Sequence, residues 1–225
     1  MGVEKARELG FCSGVRRAIQ VMEKASRRLG ALNTLGPVVH NQRVVERLEV
    51  LGVRAVADVD SASGVMALPS HGAPPQVVAV LRERGVEVVD ATCPIVRRAQ
   101  KAAHELAEAG FKVVIFGDAL HPEVRGVLGW AGEGAVATLE AASVPFRRWP
   151  KKLGILSQST QNAESFAHFV SQLLHQALEK ATEVRVVSTI CHATRERQQA
   201  ALELARRSDL MLVVGSFISA NTRQL

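Results

Sequence analysis

The sequence predicts an α/β protein built from small parallel sheets. Short β-branched or large apolar runs bounded by turn residues alternate with longer stretches of helical period. Strand and helix alternating at this rhythm imply right-handed crossovers within parallel sheets. Two blocks of similar length, followed by the start of a third, read as a pseudo-repeat.

In chain order the pattern predicts a helix over Gly14–Leu29, opened by Ser13 and Gly14, and another over Gln42–Leu51. A strand at Val65–Leu68, a helix at Pro75–Arg84 and a strand at Val86–Val89 complete the first block. The second block opens on the helix Pro94–Ala109, whose proline suits a first helical turn. It continues through strands Lys112–Phe116 and Leu153–Leu156, helix Ala163–Leu178 and strand Val184–Val187. The third begins with a helix over Thr194–Arg206, Thr194 being a suitable cap, and a strand at Leu210–Val214. Boundaries near Cys93 and Ser188-Thr189 give domains 1–93, 94–188 and 189–225, with a looser stretch at Pro145–Lys152.

At 225 residues, 47% hydrophobic and 22% charged, the chain has enough apolar material for one or two cores. No apolar run is long enough to span a bilayer, and the first residues lack the apolar centre of a signal peptide. The odd cysteine count then points to a reducing, cytoplasmic setting. A net charge of +6 raises the question of nucleic acid. The basic residues are scattered in pairs and aromatics are only 4%, which argues for a small anionic substrate or an acidic protein partner instead.

Three cysteines stand out, each read at the handover from a strand to a helix. Cys12, Cys93 and Cys191 lie 81 and 98 residues apart, too far for a zinc finger or a CxxC loop. A helix amino terminus stabilises a thiolate, the form that binds metal. Three converging thiolates would leave a cluster one ligand short; the alternative is three small buried hydrophobes.

His40, His71 and His121 each follow a strand or possible strand and could hold phosphate oxygens. His104, His168 and His175 fall within helices and read as ordinary helix residues, while His192 adjoins Cys191. Glu123, two residues after His121, is either a proton donor whose pKa burial raises or a first-turn acid. Gln158-Ser159-Thr160 and Ser219-Ala220-Asn221 place hydroxyls and amides at two further strand ends, where helix caps are also common.

The segments GFCSGVRRAI, VVHN, SHGAPP, DATCPIV, HPEVRG, QST, TICHATRERQ and VVGSFISANT, in this order, resemble the 4-hydroxy-3-methylbut-2-enyl diphosphate reductase family of the non-mevalonate isoprenoid pathway. The resemblance implies a trefoil of three α/β domains around a 4Fe-4S cluster held by Cys12, Cys93 and Cys191, with one iron open for the substrate hydroxyl. It implies that His40, His71, Ser219 and Asn221 grip the diphosphate, while His121, Glu123, Ser159 and Thr160 organise protons around the allylic alcohol. The products would be isopentenyl and dimethylallyl diphosphates, with electrons from a ferredoxin or flavodoxin. Family members continue past the position matching Leu225, so the third domain is expected to be truncated here. Ala220 stands where the family often has serine, and Ser159 where threonine is common. Two other readings are a non-catalytic diphosphate-binding or iron-sulfur protein and a zinc hydrolase with Cys and His ligands.

Overall fold

The computed structural model describes residues 2–60, 64–146 and 148–225. Arg147, within the looser stretch before Lys152, lies outside them. Helix α1 (Ser13–Leu29) precedes a first parallel sheet of β1 (Leu32–Leu35), β2 (Val53–Val56), β3 (Val65–Leu68) and β4 (Glu87–Asp90), in spatial order β2-β1-β3-β4. Its crossovers carry α2 (Gln42–Val50) and α3 (Pro75–Glu83). Helix α4 (Pro94–Glu108) leads to a second parallel sheet of β5 (Lys112–Phe116), β6 (Val136–Thr138), β7 (Lys152–Ser157) and β8 (Glu183–Val187), in order β6-β5-β7-β8. Helices α5 (Pro122–Ala131) and α6 (Ala163–Ala177) lie in its crossovers, and α7 (His192–Ala205) and the short α8 (Ala220–Arg223) follow. The two sheets share one winding, second-first-third-fourth, so the repeat visible in element order is also a repeat of topology.

Each half has its own core. In the first, α1 buries Ala18, Ile19, Met22 and Ala25 against Leu32, Val53 and Ala67. In the second, Phe116 packs on Phe166 and Phe169 at ring separations of 5.9 and 4.8 Å, with Leu153, Ile155 and Leu173 fully buried around them. Helix α5 joins the halves: Trp130 Nε1 donates to the Ala73 carbonyl at 3.1 Å. A Cβ on Gly129 would stand 2.6 Å from Pro74 Cβ, so that close approach requires glycine. Gly126 and Gly129 also weaken the local helical signal, which is why α5 was not legible as a helix. The amino-terminal segment reaches the last third of the chain through Glu4–Arg207 and, at 3.6 Å, Arg7–Glu203.

The α/β class with small parallel sheets is as the sequence predicts, and six predicted helices form within a residue or two of their expected ends. The structure departs from the reading in three respects. β1, β2 and β6 are strands of four residues or fewer, whose polar Asn33, Thr34 and Arg54 blur the apolar pattern. No strand precedes Cys12 among the described residues: that segment has no neighbour to pair with, and Val3, Leu9 and Phe11 are exposed. Leu210–Val214 is not a strand. Leu210, Leu212 and Val214 are 76%, 78% and 97% exposed, because no adjacent strand among the described residues supplies backbone partners.

Candidate active site

Parallel sheets gather loops and helix amino termini beyond the carboxyl ends of their strands. Here β1 leads to His40, β3 to His71, β4 to Cys93, β5 to His121, β7 to Gln158-Ser159-Thr160 and β8 to Cys191. The Pro69–Gly72 turn closes on a 3.0 Å bond from the Gly72 amide to the Pro69 carbonyl, with Gly72 at φ 72°. His71 occupies that turn. A Cβ on Gly72 would come within 2.4 Å of Gln100 Nε2, so glycine is required on both counts.

The three histidines meet. His40 stacks on His71 at a ring separation of 5.3 Å and an interplanar angle of 13°, and meets His121 edge-on, also at 5.3 Å. Six buried side-chain atoms among the described residues lack a partner, and four of them belong here: His40 Nε2, His71 Nδ1, His121 Nε2 and Thr160 Oγ1. Leaving a buried polar atom unpaired costs roughly 1–3 kcal/mol, so this concentration marks a surface awaiting a polar guest. His121 Nδ1 accepts from the Glu123 amide at 3.2 Å, which in the neutral ring leaves the proton on Nε2, the unpaired atom.

Burial holds all three rings neutral. It pushes His71 down to about 3, with His40 and His121 adding to the effect. It pushes His121 down to about 4, with His40 and Arg223 contributing and Asp118 opposing. His40 is lowered by burial and then by Arg223. A bound anion reverses this, because it favours the imidazolium. Between pH 6.5 and about 4 the unfolded chain takes up protons that His71 and His121 refuse when folded. Their contribution to stability is therefore complete above 6.5 and lost as pH falls, by ~1.4 kcal/mol per pH unit for each ring. Urea titrations of the apo chain from pH 6.5 to 4.5 should show that slope reduced by one ring's share in His71→Asn; an unchanged slope would contradict the assignment.

Glu123, in the first turn of α5, is 4% exposed. Its Oε1 accepts from the Ser159 amide at 2.7 Å and its Oε2 from Ser159 Oγ at 2.8 Å. Burial raises its pKa and the Ser159 bonds oppose that rise, which suits a carboxyl that exchanges protons. Gln158, fully buried, fixes the neighbouring loop: its Oε1 accepts from the Asp118 amide at 3.1 Å and from Gln161 Nε2 at 3.2 Å.

Cys12, Cys93 and Cys191 are free, half-buried and at the amino caps of α1, α4 and α7. Cys12 Sγ accepts from the Val15 amide at 3.4 Å. A Cβ placed on Gly14 would stand 2.5 Å from Cys93 Sγ and 3.8 Å from Cys12 Sγ, so the two sulfurs share one small space. Burial raises the Cys93 pKa; the Ile95 and Val96 amides oppose the rise, and both Cys12 and Cys191 add to it. Three cysteine sulfurs at helix amino termini fit a positively charged metal centre, which would draw them into the thiolate form. Among the described residues no three His, Cys, Asp or Glu side chains are grouped for a single metal ion.

Ser219 caps α8, accepting from the Thr222 amide at 3.4 Å, and Asn221 Oδ1 accepts from Thr194 Oγ1 at 3.3 Å. Neither bonds to the histidine group. What ties α8 to the site is Arg223, 3.7 Å from Asp118 and electrostatically coupled to His40 and His121, together with Gln224, whose amide donates to Gln161 at 3.4 Å. Arg223 and Asp118 were missed in the sequence because each one's partner is 105 residues away. Among the helical histidines, His104 meets Trp130 edge-on at 5.8 Å, and His192 pairs with Glu196 at 3.0 Å while 82% exposed.

The family model of the LytB protein matches residues 3–225. The chain belongs to the LytB family. A relative from Dehalococcoides mccartyi (strain CBDB1), named 4-hydroxy-3-methylbut-2-enyl diphosphate reductase, is 50% identical over 100% of this chain and 80% of its own length. A relative of the same name from Pelobacter propionicus is 43% identical over 100% and 79%. Among solved LytB-family structures, an (E)-4-hydroxy-3-methyl-but-2-enyl diphosphate reductase, the terminal enzyme of the non-mevalonate pathway, superposes with a TM-score of 0.72 at 36% identity, covering 97% of this chain and 78% of that one. The reductase from Plasmodium falciparum gives 0.88 at 26% identity, over 96% and 69%. No described helix is long and apolar enough to cross a membrane.

Proposed function

We propose that this LytB-family chain catalyses reductive dehydroxylation of 4-hydroxy-3-methylbut-2-enyl diphosphate. The substrate takes up two electrons and two protons, its allylic C–O bond breaks, the hydroxyl leaves as water, and isopentenyl and dimethylallyl diphosphates form. The carrying observation is the trio of touching imidazoles, His71 and His121 buried and His40 half-buried, each with an unpaired buried nitrogen, beside the buried Glu123.

His40 and His71 meet the diphosphate, and the arriving charge raises their pKa values so that neutral rings become donors where the negative charge settles. His121 presents its Nε2 proton toward the same guest. Glu123 holds the proton that converts the departing hydroxyl to water, and Ser159 orients its carboxyl. Thr160 Oγ1 is free to bond the substrate hydroxyl, and Ser219 and Asn221 close the site from α8. Cys12, Cys93 and Cys191 would hold a 4Fe-4S cluster, which supplies Lewis acidity and electrons. A ferredoxin or flavodoxin is the fitting electron source, and three free cysteines suit a reducing cytoplasm. The domains are taken as 1–93, 94–188 and 189–225, with the cluster at their junction.

Anaerobic reconstitution with iron and sulfide, then turnover with reduced methyl viologen, tests the proposal. Cluster signals by EPR or Mössbauer spectroscopy and formation of both products are expected; a colourless, iron-free chain would overturn it. The bare Leu210, Leu212 and Val214 favour a second reading, in which the chain binds diphosphate and cluster without turnover. Calorimetry with inorganic pyrophosphate beside the turnover assay separates the two.

A further inference from the structure

The three imidazoles are neutral before a guest arrives, and a diphosphate brings several negative charges to them. A guanidinium would offer that guest five N–H donors and a charge that does not titrate. Among the described residues the cation that bears on His40 and His121 is Arg223. Its place follows from the two fastenings of α8. Arg223 lies 3.7 Å from Asp118, whose carbonyl accepts from the His121 amide at 3.0 Å, so the guanidinium sits at the turn that leads into His121. Gln224 Nε2 donates to Gln161 Oε1 at 3.4 Å, next to Thr160. α8 thus bridges the two loops that carry His121 Nε2 and Thr160 Oγ1, both unpaired and buried.

Asp118 is fixed on its own account. Its amide donates to Gln158 Oε1 at 3.1 Å, and its Oδ1 accepts from the Leu120 amide at 3.0 Å. Arg223 is held less firmly. At 3.7 Å the pair is an ion contact without a hydrogen bond, and the two side chains are 52% and 36% exposed, so solvent weakens their attraction. A carboxylate and a phosphate group present the same kind of oxygen pair to a guanidinium, and phosphate carries the greater charge. A loosely tethered arginine at the mouth of a group of neutral rings is therefore free to change partners when an anion enters.

Resting on the reading above, we propose that Arg223 is a further diphosphate-binding residue and that Asp118 is its resident counter-ion, a stand-in that releases the guanidinium when the diphosphate arrives. Binding then exchanges the Asp118–Arg223 pair for an Arg223–phosphate pair. Removing the guanidinium weakens the anion's hold, and removing the carboxylate strengthens it. Asp118 also acts in the opposite sense, since its charge favours protonated His121, as a bound anion does. The two effects are separable, because only the first passes through Arg223.

Calorimetry with inorganic pyrophosphate on the reconstituted protein and its variants R223Q, R223K, D118N and D118N/R223Q tests it. R223Q should weaken pyrophosphate by about tenfold or more, the scale of a lost hydrogen bond to a charged group, and R223K should recover part of that loss. D118N, whose Oδ1 still accepts from the Leu120 amide, should tighten binding by about threefold with Arg223 present and far less in the R223Q background. In turnover, R223Q should raise KM while kcat stays near the wild-type value, because the group holds ground state and transition state alike. Wild-type affinity in R223Q, or the same effect of D118N in both backgrounds, would overturn the proposal. A lower unfolding midpoint in R223Q with unchanged pyrophosphate affinity would also overturn it, leaving Arg223 an anchor of α8. A wild type that binds pyrophosphate without turning over defeats the reductase reading, yet the same cycle of variants still decides the role of Arg223. Wild-type turnover with an R223Q variant of unaltered KM and affinity defeats the Arg223 inference alone.

Discussion

Glu123→Gln should retain the iron-sulfur centre and pyrophosphate binding but lose turnover by two to four orders of magnitude, the range for removal of a positioned acid. The substitution is nearly isosteric, so the buried space it occupies is unchanged. Its Oε1 can still accept from the Ser159 amide, and its NH2 group can donate to Ser159 Oγ, which reverses the polarity of that bond. What disappears is a group able to give up a proton inside a site where Glu123 is 4% exposed. Full activity in this variant would remove Glu123 from the proton path. A loss of iron along with activity would show instead that the side chain is structural.

Gly14→Ala is the second expected large effect, and it separates the thiol site from the fold. Gly14 sits in the first turn of α1, where alanine is the better helix former by up to ~1 kcal/mol. The added Cβ, however, would stand 2.5 Å from Cys93 Sγ. The inexpensive relief is rotation of the Cys93 side chain, which carries its sulfur away from Cys12. The variant should therefore unfold at the wild-type denaturant concentration or slightly above, yet take up far less iron on reconstitution and show altered alkylation of Cys93. Wild-type iron content would rule out Cys12 and Cys93 as ligands of one centre.

Much of the site could be read along the chain because its chemistry is written in rare residues at the ends of elements. All three cysteines cap helices, a local property that neighbouring Ser13, Gly14, Pro94 and Thr194 make visible. The histidines after β1, β3 and β5 were recognisable for the same reason. The strands read before Cys12 and at Leu210–Val214 did not form, and α5 was not read, because local signal was not the deciding force. Leu210–Val214 has the composition of a strand, but a strand exists only where another backbone pairs with it. α5 lacked the sequence signature of a helix because Gly126 and Gly129 serve its packing on Pro74 instead of its propensity.

The sequence by itself determined the α/β class and the identities of the three thiols, three imidazoles and one carboxyl; it put the cap of α7 at Thr194, whereas the helix starts earlier, on Cys191. Only the tertiary structure decided that the imidazoles touch, that Ser159 holds Glu123, and that Arg223 sits within electrostatic reach of His40 and His121. The physical reason is the range of the forces involved. Propensity, capping and periodicity act within a few residues, whereas burial and ion pairing depend on distances that the parallel crossovers set.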